Sequence, residues 1–291
     1  MYFKINFNNK IVKNGLEIIR SQMLEALDAP QYVEKAIIPI NAIPKTKNHL
    51  KPKTKPEQFG SGVLIKIKEQ FFILSSTHLF EAFEGNVLLT GASKGSPIEN
   101  LSGERYSTGS IDKPYSNELD ATVFHIQSEL SIELKQLAIG LQDLVLENDD
   151  EKIKTVYLAA GFRIKNSNTS RNKVNSKREA FPTIEVDDQV YEQLNINKET
   201  QFLTGYEDDV LVGEVWQKSP QPRGLSGGGL IKIEGTNILN PILSKIQKKQ
   251  KLISIITTHY KDQNNIPGFL KSTKVNVYIF LISKFMSDLF E

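Results

Sequence analysis

The sequence predicts a mostly β protein whose strands form antiparallel barrels. Across residues 60–125, short runs rich in β-branched and aromatic residues alternate with turns of Gly, Ser and Asn, a spacing typical of an antiparallel barrel. Further strands begin at residues 155–162, after an acidic stretch at residues 146–151 where we expect the chain to cross to a second barrel. Apolar residues at helical spacing predict a helix near each end of the chain.

The N-terminal segment predicts a helix, a strand and an exposed connector. Apolar residues lie at helical spacing over residues 16–28, and Asp28-Ala29-Pro30 ends that helix, which we expect to pack on the outside of the barrels. Residues 36–40 predict a strand. Residues 45–56 hold five lysines with no aromatic residue between them, so we interpret them as a solvated connector rather than a nucleic-acid-binding segment.

The remaining segments complete the predicted organisation. Residues 91–118, rich in Ser, Gly and Asn, predict a long loop that could shape a cleft, and the polar, basic residues 163–177 predict a disordered or protruding loop. The chain then predicts a short helix at 187–194, a strand at 210–216 and, at 235–251, an insertion that is partly an amphipathic helix. We expect four units: an N-terminal helical extension (1–33), a first barrel (34–150), a second barrel (151–276) and a C-terminal helix packed on the barrels (277–291).

The composition excludes several kinds of site. The chain contains no cysteine, which excludes a disulfide framework, a cysteine nucleophile and cysteine-based zinc sites. Its four histidines, His49, His78, His125 and His259, are scattered without the spacing of metal ligands, so we predict neither a metal nor another cofactor. The net charge of +2 gives no indication of a nucleic-acid partner.

The hydropathy pattern predicts a protein that does not enter a membrane. The first residues lack the charged and then apolar pattern of a signal peptide. No apolar run approaches the ~18 residues of a membrane span, and the longest near the end, residues 277–282, has six residues. We therefore expect a cytoplasmic location.

Three short motifs, far apart in the chain, carry a histidine, an aspartate and a serine in that order. His78 ends the sequence SSTH, Asp120 begins the sequence DATVF, and Ser226 lies in the glycine cluster GLSGGG at residues 224–229. Each motif alone is a weak signal, because glycine clusters are commonly turns and single histidines are commonly packing residues. Together, and in this order, they favour a serine hydrolase.

The chemistry of acyl transfer explains why these residue types are needed. A serine hydroxyl attacks a carbonyl efficiently only when a neighbouring imidazole takes its proton, and the imidazole needs a carboxylate to fix its tautomer. The oxyanion that forms needs backbone N–H donors, each lowering the barrier by about 2.7–4 kcal/mol. Glycines allow the sharp turn that presents such donors, here the N–H groups of Gly224 and Ser226.

These motifs resemble those of the chymotrypsin/trypsin-fold serine peptidases, which read roughly TAAH, D[IL]A[LV] and G[DN]SGG. They are most similar to those of cysteine-free bacterial members, in which GLSGGG-like variants occur. The resemblance implies a chymotrypsin-like double barrel in which His78 is the general base, Asp120 its orienting carboxylate and Ser226 the nucleophile. Residues 59–65 and 252–257 also resemble family strands, the second being the strand whose backbone pairs with substrate. The similarity covers residues 55–275.

Departures from the family pattern are informative about activation. Trypsin-type zymogens have an acidic residue before the nucleophile, which pairs with the freed N-terminus, whereas this chain has Leu225. Activation by that ion pair is therefore not expected. The residue six positions before the serine, an Asp in trypsins, is Pro220. The family's trypsin-like recognition of Lys or Arg is therefore not expected either.

The primary substrate pocket is predicted from the same resemblance. We expect residues 218–223, including Pro220, to form one wall, and Thr257, Thr258 and His259 to form another. Neither segment holds a carboxylate, so a substrate ammonium or guanidinium would be buried unpaired. The pocket should therefore disfavour Lys and Arg. It should prefer small, apolar or acidic residues, or sort by size alone if its cationic side chains point to solvent.

The sequence leaves two hypotheses of different classes open. The first is an active endopeptidase that hydrolyses a protein or peptide substrate through an acyl-enzyme. The second is a catalytically silent protein that uses the same double barrel to bind a peptide or a protein partner. The presence of all three triad residue types and of the oxyanion glycine favours the first. A small-molecule esterase is a more remote third reading.

Overall fold

The computed structural model describes most of the chain. The described residues are 10–43, 56–81, 87–92, 95–108, 119–146, 154–170, 173–206, 209–212, 215–219, 221–238, 247–262 and 266–291. Most of the predicted connector at 45–56, the middle of the predicted insertion at 235–251 and the crossing after residue 146 lie outside these ranges.

The first sheet is a closed antiparallel barrel of six strands in the order β1-β2-β3-β6-β5-β4. The Asn41–Leu89 pair between the first and fourth strands closes it. The predicted antiparallel barrel is thus confirmed. Its strands are β1 (Ile37–Ala42), β2 (Glu57–Ile67), β3 (Gln70–Ser75), β4 (Val87–Thr90), β5 (Glu99–Ser107) and β6 (Thr122–Ile126).

One loop prediction in this barrel is wrong. Residues 91–118 were expected to form a single long loop, yet they contain the nine-residue strand β5. Its Ser, Gly and Asn residues have low strand propensity, but β5 pairs with both β4 and β6 and buries Leu101 completely. Pairing on both edges therefore overrides local composition.

The second sheet is also antiparallel and has six strands, in the order β8-β7-β12-β13-β14-β9, while β10 and β11 pair separately. The predicted strand at 210–216 is two strands rather than one, because β10 and β11 fold back on each other. The strands are β7 (Tyr157–Ser170), β8 (Lys173–Thr183), β9 (Gln201–Gly205), β10 (Asp209–Val212), β11 (Val215–Lys218), β12 (Gly229–Glu234), β13 (Lys249–Tyr260) and β14 (Phe269–Lys274).

The predicted loop at 163–177 is a long β-hairpin, so that prediction is also wrong. Strands β7 and β8 pair from Tyr157–Thr183 out to Ser170–Lys173, with one irregularity between Phe162 and Ser167. Its polar residues resemble a loop in composition, but backbone pairing along the ribbon satisfies their N–H and C=O groups. The base of this hairpin lies beside the candidate site described below.

The two longest helices lie near the two ends of the chain, as predicted. The helices are α1 (Lys10–Leu27), α2 (Tyr32–Lys35), α3 (Thr77–Glu81), α4 (Ile132–Leu137), α5 (Asp188–Gln193) and α6 (Val275–Phe285), with one-turn 3₁₀ helices at Leu141–Asp143 and Ser287–Leu289. The end of α1 and the position of α5 agree with the sequence. No helix in the described ranges is long and apolar enough to span a bilayer.

One hydrophobic cluster joins both sheets and the terminal helices. Because the two sheets bury side chains in the same cluster, they pack against each other, and each sheet also has a separate hydrophobic cluster of its own. The members of the shared cluster include Ile37, Val63, Phe72, Leu74 and Val123 from the barrel, Leu158, Ile231, Leu252 and Ile255 from the second sheet, Ala26 from α1, and Tyr278, Leu281 and Ile282 from α6.

A buried glutamine fastens the short helix α2 to the second sheet. Gln250 in β13 is fully buried, and its Oε1 accepts hydrogen bonds from the N–H groups of Val33 (3.1 Å) and Glu34 (3.2 Å). Its Nε2 donates to Glu34 Oε1 at 2.7 Å, and its carbonyl oxygen accepts the hydroxyl of Tyr32. The otherwise unpaired N–H groups at the start of α2 are thereby satisfied.

Candidate active site

The segment that carries His78 leaves the first barrel at the end of β3. Ser75 ends β3 and α3 begins at Thr77, so His78 lies in the first turn of a short helix. The carbonyl oxygen of Ser75 accepts the hydroxyl of Tyr278 in α6 at 3.2 Å. Ser76 Oγ donates to the carbonyl oxygen of Ile256 in β13 at 3.1 Å. The histidine segment is therefore held by the second sheet and by α6.

The Ser226 segment is a tight turn that leads into β12. It also forms a hydrogen bond with β13, the strand to which Ser76 binds. The N–H of Gly227 donates to the carbonyl oxygen of Ile256 at 2.7 Å, the oxygen that Ser76 also binds. One backbone carbonyl thus binds both Ser76, which lies two positions before His78, and Gly227, which directly follows Ser226. The fold brings together two of the three predicted motifs at this point.

Asp120 lies just before β6 and contacts His78 at two points. Its Oδ2 accepts from His78 Nδ1 at 2.7 Å, and its Oδ1 accepts from the backbone N–H of His78 at 3.1 Å. Because a carboxylate only accepts, Nδ1 is the donor in this pair, and the neutral imidazole in this tautomer has its lone pair on Nε2. Asp120 also has a φ of +29°, a strained conformation that concentrates at functional sites.

The hydroxyl of Ser226 does not bind His78, although the structure describes both side chains. Ser226 Oγ donates instead to the carbonyl oxygen of Thr257 at 3.1 Å, whereas the sequence led us to expect His78 Nε2 as its partner. A bulge in β13 explains this partner, because Thr257 is skipped in the pairing with β14 between Ile256 and Thr258. Bulges free backbone groups from the ladder in this way, often beside functional sites.

The backbone before Ser226 presents two free donors. Gly224 has a φ of +101° and Gly227 a φ of +78°, values that only glycine adopts without strain. Within the described part of the chain, the N–H groups of Gly224 and Ser226 donate to no protein acceptor. Their neighbours do, since the N–H of Leu225 donates to the carbonyl oxygen of Pro222 at 2.8 Å. The N–H groups of Gly224 and Ser226 are therefore available to a bound ligand.

The predicted pocket residues have different exposures. Pro220 lies outside the described residues. Lys218 and Arg223 in one predicted wall are exposed, as is Thr258 in the other. Thr257 is buried, and the half-buried ring of His259 lies edge-on to Tyr206 at 5.3 Å between centroids.

Sequence reasoning missed a partly buried salt bridge close to Tyr206, the residue against which His259 packs. Arg163 and Glu179, paired across the base of the β7–β8 hairpin, form a salt bridge whose side chains are 17% and 14% exposed. Arg163 lies over the ring of Phe181 at 5.7 Å, which packs edge-on against Tyr206. Burial raises the pKa of Tyr206 to about 12. The region therefore contains a carboxylate, but an arginine neutralises it.

No group of three or more potential metal-binding side chains is found among the described residues.

The two six-stranded antiparallel sheets, one of them a closed barrel, define a chymotrypsin-like double-barrel fold. A solved structure with a similar fold is that of neuropsin, a serine protease expressed in the limbic system of mouse brain. The TM-score is 0.52 and the identity 12%, over 89% of this chain and 97% of that one. No family model matches the sequence, and no curated protein matches it. At this identity the likeness shows the fold alone, so an activity must be argued from the site.

Proposed function

We propose that the protein is a serine endopeptidase that cleaves a protein or peptide substrate. Ser226 is the nucleophile, His78 the general base and Asp120 the residue that orients it. The observation that carries the proposal is the two-point contact of Asp120 with the ring and the backbone of His78. This contact leaves the Nε2 lone pair of His78 available to a serine hydroxyl.

The reaction begins with a rotation of the Ser226 side chain from Thr257 to His78. His78 Nε2 takes the hydroxyl proton while Ser226 Oγ bonds to the substrate carbonyl carbon, and the N–H groups of Gly224 and Ser226 stabilise the oxyanion. The C–N bond then breaks and the proton passes from His78 to the leaving amine. Water, deprotonated by His78, hydrolyses the acyl-enzyme and restores Ser226.

A fluorophosphonate probe tests the proposal directly. Attack by Ser226 Oγ displaces fluoride and leaves a stable phosphonyl-enzyme, so the wild-type protein should be labelled. Ser226→Ala should abolish the labelling and the cleavage of a peptide library without changing the melting temperature. Full peptidase activity in Ser226→Ala would show that the nucleophile is misassigned.

The same peptide library reports on specificity. Exposed Lys218 and Arg223, together with the paired Glu179, support a pocket without a free carboxylate. Cleavage after Lys or Arg should therefore be disfavoured. A dominant preference for either residue would show that the pocket lies elsewhere. A cytoplasmic location and the absence of a nucleic-acid partner remain part of this proposal.

A catalytically silent binding protein is the second candidate. It is favoured by one observation, the hydrogen bond of Ser226 Oγ to Thr257 rather than to His78. A silent relative would bind library peptides, with the same affinity in Ser226→Ala, but would not be labelled by the probe. Labelling of the wild-type protein therefore separates the two candidates.

A further inference from the structure

We propose that Ser61 is a positioning residue that orders the oxyanion loop, defined here as residues 222–227. Ser61 lies in β2 of the first barrel and is fully buried. Its backbone N–H donates to the carbonyl oxygen of Ser226 at 2.9 Å, and its carbonyl oxygen accepts from Ser75 Oγ at 2.8 Å. The residue therefore joins the nucleophile turn to the end of the strand that precedes His78.

The side chain of Ser61 makes two further hydrogen bonds, to different parts of the second sheet. Its Oγ donates to the carbonyl oxygen of Gly224 at 3.0 Å and accepts from the N–H of Phe162 at 2.9 Å. Gly224 belongs to the oxyanion loop and Phe162 to the base of the β7–β8 hairpin. A single hydroxyl thus fixes the loop and the hairpin to the same point of the first barrel.

The hairpin in turn determines the direction of the Gly224 N–H. The N–H of Ile164, two residues after Phe162, donates to the carbonyl oxygen of Arg223 at 3.1 Å. A trans peptide is planar, so turning the carbonyl of Arg223 toward Ile164 directs the N–H of Gly224 to the opposite side. The oxyanion donor is oriented by the hairpin, and Ser61 holds the hairpin through Phe162.

The C-terminal half of the loop has hydrogen bonds of its own, from the N–H of Gly227 to the carbonyl oxygen of Ile256 at 2.7 Å and from the N–H of Leu225 to the carbonyl oxygen of Pro222 at 2.8 Å. Leu225 is also buried in an apolar cluster with Tyr206 and Leu270, but none of these contacts replaces the hydrogen bond that the carbonyl oxygen of Gly224 accepts from Ser61. Loss of the Ser61 hydroxyl would leave the N–H of Phe162 and the carbonyl of Gly224 without their partner in a buried place, which is costly. The loop and the hairpin would shift to find other partners, and the two oxyanion N–H groups would shift with them.

This inference rests on the proposed function and predicts a particular kinetic effect. Donors to the oxyanion act on the transition state rather than on the bound substrate. Ser61→Ala should therefore lower kcat and leave KM unchanged. The loss should be about 10- to 100-fold, smaller than for a deleted donor because the N–H groups are displaced and not removed.

Thr236→Ala is the matched control. Thr236 is also buried, and its Oγ1 accepts from the N–H of Val156 at 3.0 Å and donates to the carbonyl of Ile233 at 2.8 Å. Both substitutions remove a buried hydroxyl that bonds one N–H and one carbonyl, but Thr236 does not touch the oxyanion loop. Thr236→Ala should lower the melting temperature about as much as Ser61→Ala and keep kcat.

The experiment measures kcat and KM for p-nitrophenyl acetate and the labelling rate with a fluorophosphonate in the full-length protein. Loss of kcat and of labelling in Ser61→Ala, with both retained in Thr236→Ala, supports the inference. An active Ser61→Ala protein, or equal losses in both variants, overturns the inference and leaves the proposed function standing. An unlabelled, inactive wild-type protein overturns both. If Ser61→Ala does not fold, Ser61→Cys keeps the volume with only a weak donor and is expected to show the same loss of kcat.

Discussion

Asp120 holds His78 by the ring and by the backbone, and this is a tighter constraint than a ring contact alone. The backbone N–H fixes where the first turn of α3 begins, and the ring nitrogen fixes the imidazole plane. The backbone before Asp120 is also fixed, because the carbonyl oxygen of Leu119 accepts a hydrogen bond from Thr273 Oγ1 at 2.5 Å. Rotation of the imidazole away from Asp120 would break a short, charge-assisted hydrogen bond.

Asp120→Asn should reduce kcat by about 10⁴-fold with little change in stability, because an amide can donate to Nδ1 and stabilise the wrong tautomer. Steady-state kinetics on a peptide substrate measure this. Asp187→Asn is the control, since the side chain of Asp187 is 79% exposed and its ion pair with Lys154 lies on the surface. A mere threefold loss in Asp120→Asn would contradict the role given to Asp120.

Gly224→Ala should lower both stability and reactivity. A Cβ at Gly224 would lie 2.5 Å from the carbonyl oxygen of Phe162 and 2.7 Å from the N–H nitrogen of Ile164, and the φ of +101° is itself strained for alanine. We expect labelling by a fluorophosphonate to slow by about 10²–10³-fold. Gly205→Ala, where a Cβ would meet no atom within 4 Å, should behave as wild type. Equal labelling of both variants would contradict the assignment of the oxyanion loop.

The sequence predicted the residues that carry chemistry better than the residues that position them. His78, Asp120 and Ser226 are recognisable because their residue types and order follow from the reaction. Ser61 was not recognised, since its partners Phe162 and Gly224 lie 101 and 163 positions away in the chain. The local signals were a serine between Gly60 and Gly62 and the resemblance of residues 59–65 to a family strand, and neither identifies the partners of its hydroxyl.

At the scale of elements, predictions from composition were wrong where backbone pairing between strands determines the structure. The β7–β8 hairpin and strand β5 are rich in polar residues, so residues 163–177 and 91–118 were predicted as loops. Each becomes a strand because its backbone pairs with a neighbour that the sequence alone does not identify. Helices α1 and α6 were predicted well, because their apolar periodicity is a local property.

The attachment of α2 to β13 gives a prediction at this scale. Gln250→Ala should lower the free energy of unfolding by about 2–4 kcal/mol, because it leaves the N–H groups of Val33 and Glu34 buried without an acceptor. Chemical denaturation followed by circular dichroism measures this. Gln142→Ala, at an exposed position, should change stability by less than about 0.5 kcal/mol. Similar values for the two variants would mean that α2 is not fixed by Gln250.

At the scale of the whole molecule, one hydrophobic cluster spans the two sheets. The division into units 34–150 and 151–276 remains a prediction about chain organisation. Because one buried cluster spans both sheets, we expect the two halves to melt together. We expect one cooperative transition, with far-UV and near-UV circular dichroism giving the same midpoint. Two resolved transitions would show that each half is stable alone.

The chain is made from its N-terminus, so the β1–β6 barrel emerges from the ribosome before the second sheet and α6. Phe72 and Leu74 on that barrel belong to the shared cluster and have no partners from the second sheet at that stage. The hydroxyl of Tyr278, which holds the carbonyl of Ser75 beside His78, emerges 52 residues after Ser226 (278 − 226). A nascent chain that already contains all three candidate triad residues still has an unsupported histidine segment. On the proposed function, such a chain would stay inert toward other growing polypeptides until α6 has docked.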